Sequence, residues 1–279
     1  MTSSQLSDDQ VQAYHRDGYH LARGLFDADE IEMLRSAAKA DQALEQQAYD
    51  RDDGEGGKVR LSLWNHPEEN IYGNFSRSRR MVDIVEQLLG EEVYHYHSKM
   101  IMKQAQTGGA WAWHQDYGYW YENGVLRPDL CSVFTAVDRA TRENGCLQVV
   151  RGSQNLGRLT HVKVGHQTGA EPDRVDAVLE RLELIYCEMD PGDSIFFHSN
   201  LLHRSDQNTS AHDRWSLVCC YNTKSNSPIR EGPHPQYTPL AKADDGTIRQ
   251  MGPVGFGDAQ DGASTFKSGS QQTSDRITE

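Results

Sequence analysis

His114, Asp116, His203 and Arg214 are the residues in this sequence whose types and spacing best suit metal-centred redox chemistry. His114-Gln115-Asp116 puts an imidazole and a carboxylate two residues apart. On an extended strand those positions share one face. One later histidine completes a 2-His-1-carboxylate set, which holds Fe(II) on three sites and leaves three open. The open sites suit O2 and a co-substrate that binds through two atoms. His198 and His203 compete for the third position. His203 is preferred because Ser205 and Arg214 follow it. Arg214 starts a strand-like segment in which Arg214, Ser216, Val218 and Cys220 share a face. An inward guanidinium needs an anion. A buried Asp or Glu would serve, and so would the far carboxylate of 2-oxoglutarate.

With twelve histidines in 279 residues, one His-x-Asp pair carries little weight alone. Its surroundings add weight. The pair ends an aromatic run, Trp111-Ala112-Trp113, and Pro191-Gly192-Asp193 is a tight turn feeding the apolar strand before His203. A rigid element can hold a metal site in place. His161, His166 and His212 lack such framing and are expected at the surface.

The elements that must position these groups come from periodicity. Ser7 caps a short helix with Gln10 as its capping-box partner, ending at Asp17-Gly18. Residues 19–22 read as a strand. Asp27 starts a second helix with Ile31, Leu34 and Ala38 in phase, and 81–89 form a third, closed by Gly90. Residues 51–57 read as a polar turn. From residue 93 the pattern is strand-like: 93–103, 111–116, 131–137, 146–150, 184–188, 194–198 and 214–222. In the first of these, His95, His97 and Lys99 fall on one face. Residues 173–183 read as a helical insertion. Many short strands between turn signals predict a mainly β fold, a sandwich or jelly roll, with added helices. The expected organisation is one domain over 1–257 and a loosely ordered, Gly/Ser/Gln-rich tail over 258–279.

Composition narrows the function classes. The formal charge is −13, from 28 Lys+Arg against 41 Asp+Glu. That balance argues against nucleic-acid and anionic-membrane partners. No apolar run approaches the roughly 18 residues needed to span a bilayer. The opening MTSSQLSDDQ reads as neither a signal nor a transit peptide. Five cysteines without CxxC spacing point to a reducing, cytoplasmic setting. The sequence gives no oligomeric state.

An ordered set of motifs resembles the phytanoyl-CoA dioxygenase family of Fe(II)/2-oxoglutarate oxygenases, which includes the ectoine hydroxylases. It begins with Leu6-Ser7-x-x-Gln10-Val11 and Asp17-Gly18-Tyr19, then Arg23-Gly24-Leu25-Phe26. It continues through Lys99-x-x-x-Lys103, His114-Gln115-Asp116, Glu143-Asn144-Gly145-Cys146-Leu147, Gly152-Ser153 and Pro191-Gly192-Asp193, and closes on His203-x-Ser205 and Arg214. The resemblance implies a double-stranded β-helix (jelly roll, cupin-like) with flanking helices. It implies His114, Asp116 and His203 as iron ligands. It implies Arg214 and Ser205 at the far carboxylate of 2-oxoglutarate, Phe134 as an aromatic wall beside it, and Lys99 lining the active site. Related halogenases replace the carboxylate ligand with a small residue, so Asp116 disfavours halogenation.

Lys99, with Tyr117 and Tyr119 in the aromatic run after the triad, is the expected substrate contact. A lysine and a cation–π wall suit a small zwitterion such as an amino acid, betaine or aminophosphonate. No basic platform for a CoA nucleotide is visible, which leaves an acyl-CoA hydroxylase as the lesser alternative. A non-catalytic jelly-roll sensor and a cupin enzyme that needs no 2-oxoglutarate are the others.

Overall fold

A computed structural model describes residues 5–257, so the tail expected over 258–279 lies outside the described residues. The chain begins α1 (Asp8–Asp17), β1 (Tyr19–Ala22), α2 (Ala28–Ala40), α3 (Gln42–Gln46), β2 (Tyr49–Asp52) and β3 (Lys58–Trp64). It continues with α4 (Ile71–Arg77), α5 (Arg79–Leu89), β4 (Val93–Lys103), β5 (Trp111–His114), α6 (Asp116–Glu122), β6 (Leu130–Ala136) and β7 (Leu147–Val150). β8 (His161–Val164), β9 (Gln167–Ala170), α7 (Pro172–Leu179), β10 (Leu184–Cys187), β11 (Ser194–His198), β12 (His203–Ser205), β13 (Arg214–Thr223) and α8 (Thr247–Met251) complete it.

Local chemistry explains the first helices. The Ser7 hydroxyl accepts from the Gln10 amide and the Gln10 side chain returns a bond to Ser7, as the capping pattern predicts. Asp27 and Glu30 repeat the device on α2. Gly18 and Gly90 end α1 and α5 in the left-handed conformation at φ +87° and +72°.

One antiparallel sheet has the order β1-β11-β6-β13-β4-β3-β2, and a smaller one the order β10-β7-β12-β5. The larger sheet is covered on both faces. Met100, Met102, Val133, Leu217, Cys219 and Tyr221 pack with Leu34, Val82, Val85 and Leu88 of α2 and α5. Leu61, Ile101, Phe134, Val218 and Cys220 pack with Leu147, Val149 and Cys187 of the smaller sheet. Each fully buried aliphatic side chain contributes about 1.5–3 kcal/mol. The site lies between the two sheets.

Several expectations need correction. The turn at 51–57 is the tip of a hairpin: Arg51 and Asp52 belong to β2, and only 53–57 turn. The helix expected over 173–183 stops at Leu179. The strand expected over 111–116 ends at His114, and Asp116 begins α6. In β4 the register shifts opposite Cys220/Tyr221, so the chain bulges at Tyr96. The bulge rotates the alternation by one residue. His95 therefore faces the helical side, against Tyr221, while His97 and Lys99 face the smaller sheet. β2, β3, β8, β9 and β12 were not anticipated as strands.

Candidate active site

The smaller sheet fixes the two histidines. β5 and β12 are antiparallel with His114 directly opposite His203, and the imidazole centroids are 4.0 Å apart. Each ring is anchored the same way. His114 Nδ1 donates to Ala112 O at 2.8 Å, and His203 Nδ1 to Leu201 O at 2.8 Å. A carbonyl can only accept, so each Nε2 keeps its lone pair for the space between them. Burial, reinforced at His114 by the neighbouring His203, lowers the pKa of both rings and keeps them neutral.

Asp116 reaches the same space by a different route. The chain leaves β5, and Gln115 points away to anchor loops: its side chain donates to Gly157 O and Asn200 O and accepts from Leu159 N. Its backbone N–H donates to His161 Nε2 at 3.0 Å. His161 is therefore buried beneath the metal-side turn, contrary to the surface expectation, whereas His166 and His212 are exposed. Asp116 Oδ1 then lies 3.9 Å from both His114 Nε2 and His203 Nε2. Among the described residues these three buried side chains form the group whose ligand atoms, all within 4.8 Å of one another, could hold a metal. Two neutral imidazoles and a carboxylate are the donor set that suits Fe(II) with open positions.

A cavity of about 40 Å³ runs from the triad to Arg214 and Lys103. Phe134, Ser205, Lys99 and Trp111 also line it. Arg214 is buried; its Nη1 donates to Ser216 Oγ at 3.2 Å, its Nε has no partner, and its guanidinium lies 5.6 Å from the Phe134 centroid. Lys103 Nζ donates to Ser205 Oγ at 2.8 Å and to Asp206 O. Burial pulls the Arg214 pKa down to about 10 and lowers that of Lys103 well below its ordinary value. Among the described residues, Asp116 is the only acidic side chain lining this cavity. Two buried basic side chains thus face a space that an anion would fill, which is the fit expected for the far carboxylate of 2-oxoglutarate.

A second cavity, about 50 Å³, opens from the other side of the triad. Trp111, Lys99, His97, Trp120, Arg51 and His234 line it. Arg51 and Lys99 both lie over the Trp111 ring, at 4.7 and 5.4 Å from its centroid. His97 stacks on His234 at 4.7 Å, and its Nδ1 has no hydrogen-bond partner. Tyr119 also lines this space, its hydroxyl donating to Thr168 O. Tyr117 lines neither cavity. Its hydroxyl donates to Leu126 O at 2.5 Å.

The structure thus gathers His114, Asp116, His203, Arg214, Ser205, Phe134, Lys99 and Tyr119. His198 accepts from the Asn200 amide and lines neither cavity. Sequence reasoning assigned no role to Lys103, Arg51, His161, His234 or Ser132. Lys103 stood in a quoted motif and shares a face with Lys99, which was a usable signal. The others reach the site through tertiary packing.

Comparison with known proteins follows this geometry. The phytanoyl-CoA dioxygenase (PhyH) family matches residues 14–216. An L-proline trans-4-hydroxylase of Streptomyces griseoviridis is 32% identical over 262 residues, covering 88% of this chain and 95% of that one. An ectoine dioxygenase of Bordetella bronchiseptica is 30% identical, covering 83% and 80%. The crystal structure of EctD from S. alaskensis with 2-oxoglutarate and 5-hydroxyectoine superposes with a TM-score of 0.74 at 24% identity, over 88% of this chain and 89% of that one.

Proposed function

This chain belongs to the phytanoyl-CoA dioxygenase family, and from that premise we propose an iron(II)- and 2-oxoglutarate-dependent dioxygenase that hydroxylates an aliphatic carbon of a small zwitterionic metabolite. The observation that carries the reading is the pair of buried basic side chains, Arg214 and Lys103, in a cavity that also reaches His114, Asp116 and His203. In this reading the two facing sheets form a double-stranded β-helix, with the triad at its mouth.

Ferrous iron with 2-oxoglutarate and O2 supplies an oxidant able to cleave an unactivated C–H bond, with succinate and CO2 as co-products. The chain's own work is positional. His114, Asp116 and His203 would hold the ion through three side-chain atoms, which would leave coordination positions for the co-substrate and O2. Arg214 and Ser205, with Lys103, take the far carboxylate and set the depth of the co-substrate. Phe134 walls that cavity and excludes water from the Arg214 guanidinium.

Substrate lies in the second cavity. Lys99 and Arg51 meet a carboxylate, and the Trp120 and Tyr119 rings face a cationic nitrogen. The cavity has room for roughly three to five water-sized centres, which suits a compact metabolite rather than an acyl-CoA. Relatives that act on L-proline and ectoine support this class. Five unpaired, buried thiols support a reducing, cytoplasmic setting.

The test is an anaerobic titration with Fe(II) and 2-oxoglutarate, followed by a panel of amino acids, betaines and ectoine scored for succinate release. A small zwitterion should stimulate turnover. Stimulation only by acyl-CoA thioesters would overturn the substrate class. Asp116→Ala should abolish stimulated succinate formation, and wild-type rates in that variant would overturn the ligand assignment.

A further inference from the structure

The two histidines are each fixed by a carbonyl two residues earlier in the chain, but Asp116 has no such local anchor. Its helix begins at the aspartate itself, and Gln115 contributes no side-chain cap. Its anchor comes from the other sheet. Ser132, fully buried on β6, donates from Oγ to Asp116 Oδ2 at 2.6 Å. The other oxygen, Oδ1, faces both imidazoles at 3.9 Å. The two carboxylate oxygens are therefore divided between different tasks. Cys220 Sγ lies 3.5 Å from Ser132 Oγ. The serine proton is committed to Asp116, so the thiol must be the donor to serine. The result is a directed chain, Cys220 S–H to Ser132 O–H to Asp116 Oδ2, running inward from β13 through β6.

We propose that Ser132 is a positioning residue that holds Asp116 to one-oxygen ligation and so keeps a coordination position open for O2. The count is simple. Two imidazoles, one carboxylate oxygen and a co-substrate binding through two atoms use five positions of six. A second carboxylate oxygen on the ion would use the sixth. The hydrogen bond at 2.6 Å is of the short, charge-assisted kind, and an oxygen that accepts it is a poorer metal donor. Because Ser132 sits on a central strand, between β11 and β13, its Oγ has little freedom to follow the aspartate if that side chain rotates. This role rests on the triad being the iron site.

The experiment compares wild type with Ser132→Ala, Ser132→Cys and Ser132→Thr. Fe(II) affinity is measured anaerobically by calorimetry, and the Fe(II)–2-oxoglutarate charge-transfer band is recorded at saturation. Loss of a partner that orients a metal ligand weakens metal binding roughly 10- to 100-fold. Ser132→Ala should show that loss and a shifted band, with 2-oxoglutarate affinity at saturating iron within about threefold. Ser132→Cys, which keeps volume but offers a weak donor, should behave like Ala and serves if the Ala variant does not fold. Ser132→Thr, which keeps the hydroxyl, should restore binding and band. Wild-type iron affinity and an unshifted band in both Ala and Cys variants would overturn the role of Ser132 alone. Failure of the wild-type chain to take up Fe(II) would instead overturn the iron site on which it rests.

Discussion

Replacing Arg214 with Met should raise the stability of the ligand-free protein and cripple co-substrate binding, two effects of opposite sign from one substitution. The guanidinium is 2% exposed, lies in no ion pair among the described residues, and leaves Nε without a partner. Burial lowers its pKa to about 10, a sign that the charged form is held at a cost. Exchanging a buried, poorly compensated charge for an apolar chain of similar volume is neutral or stabilising by about 1–4 kcal/mol. Removing one partner of a buried, hydrogen-bonded charge pair costs about 2–5 kcal/mol. At about 1.4 kcal/mol per tenfold, that is roughly 30- to 4000-fold in the 2-oxoglutarate Kd. Lys103 and Ser205 remain, which favours the lower half of that range. Urea melts of the ligand-free protein give the first effect, and anaerobic titration of the charge-transfer band the second. A variant that melts earlier than wild type yet binds 2-oxoglutarate equally well would refute the reasoning, because Arg214 would then be a structural cation.

Three further outcomes are expected. Lys99→Gln should raise the substrate KM at least tenfold while changing the 2-oxoglutarate KM less than threefold; a rise in the 2-oxoglutarate KM with the substrate KM unchanged would place its role in the co-substrate cavity instead. A Cβ on Gly118 would lie 2.1 Å from His161 Cε1, so Gly118→Ala should cost about 1–3 kcal/mol and weaken Fe(II) binding through His161 and Gln115, and an unchanged melting temperature would contradict that packing. His95 is buried between Asn65 O and Ser98 Oγ, and burial lowers its pKa to about 4 from an ordinary 6.5. The unfolded chain therefore takes up a proton below about pH 6.5 that the folded chain refuses until about pH 4. Stability should fall across that window by about 3 kcal/mol at most, and His95→Gln should flatten the slope. A wild-type pH slope in that variant would assign the loss to other groups.

The chemistry of the site was legible because it is carried by residue type and short spacing. His114, Asp116, His203, Ser205 and Arg214 needed only an approximate strand pattern to be grouped. The route to that grouping was partly different from the one expected. Asp116 meets His114 through a strand-to-helix turn, not through shared alternation, because Gln115 is pulled outward by Gly157, Leu159 and Asn200. Those partners lie about 40 to 85 residues away, beyond the reach of periodicity. His95 was misplaced for a related reason: one extra residue at Tyr96 inverts the faces, and a bulge leaves no mark in an apolar-rich strand. Ser132 was invisible because a serine in an all-buried strand has no periodic signature, and its partner lies on another element. Tyr117, expected at the substrate, lines neither cavity, and its hydroxyl donates to Leu126 O just beyond the end of α6.

Strand β12 is three residues long, His203–Ser205, and is bonded along one edge to β5 and along the other to β7. In the proposed reading its first and last side chains address different guests, the ion and the keto acid, across about 7 Å of backbone. So short a splint, held along both edges although its pairing with β5 shifts register between His203 and Ser205, ties the two positions to one piece of backbone. If seating one guest stiffens the berth of its neighbour, then by reciprocity each sharpens the other's affinity by the same factor.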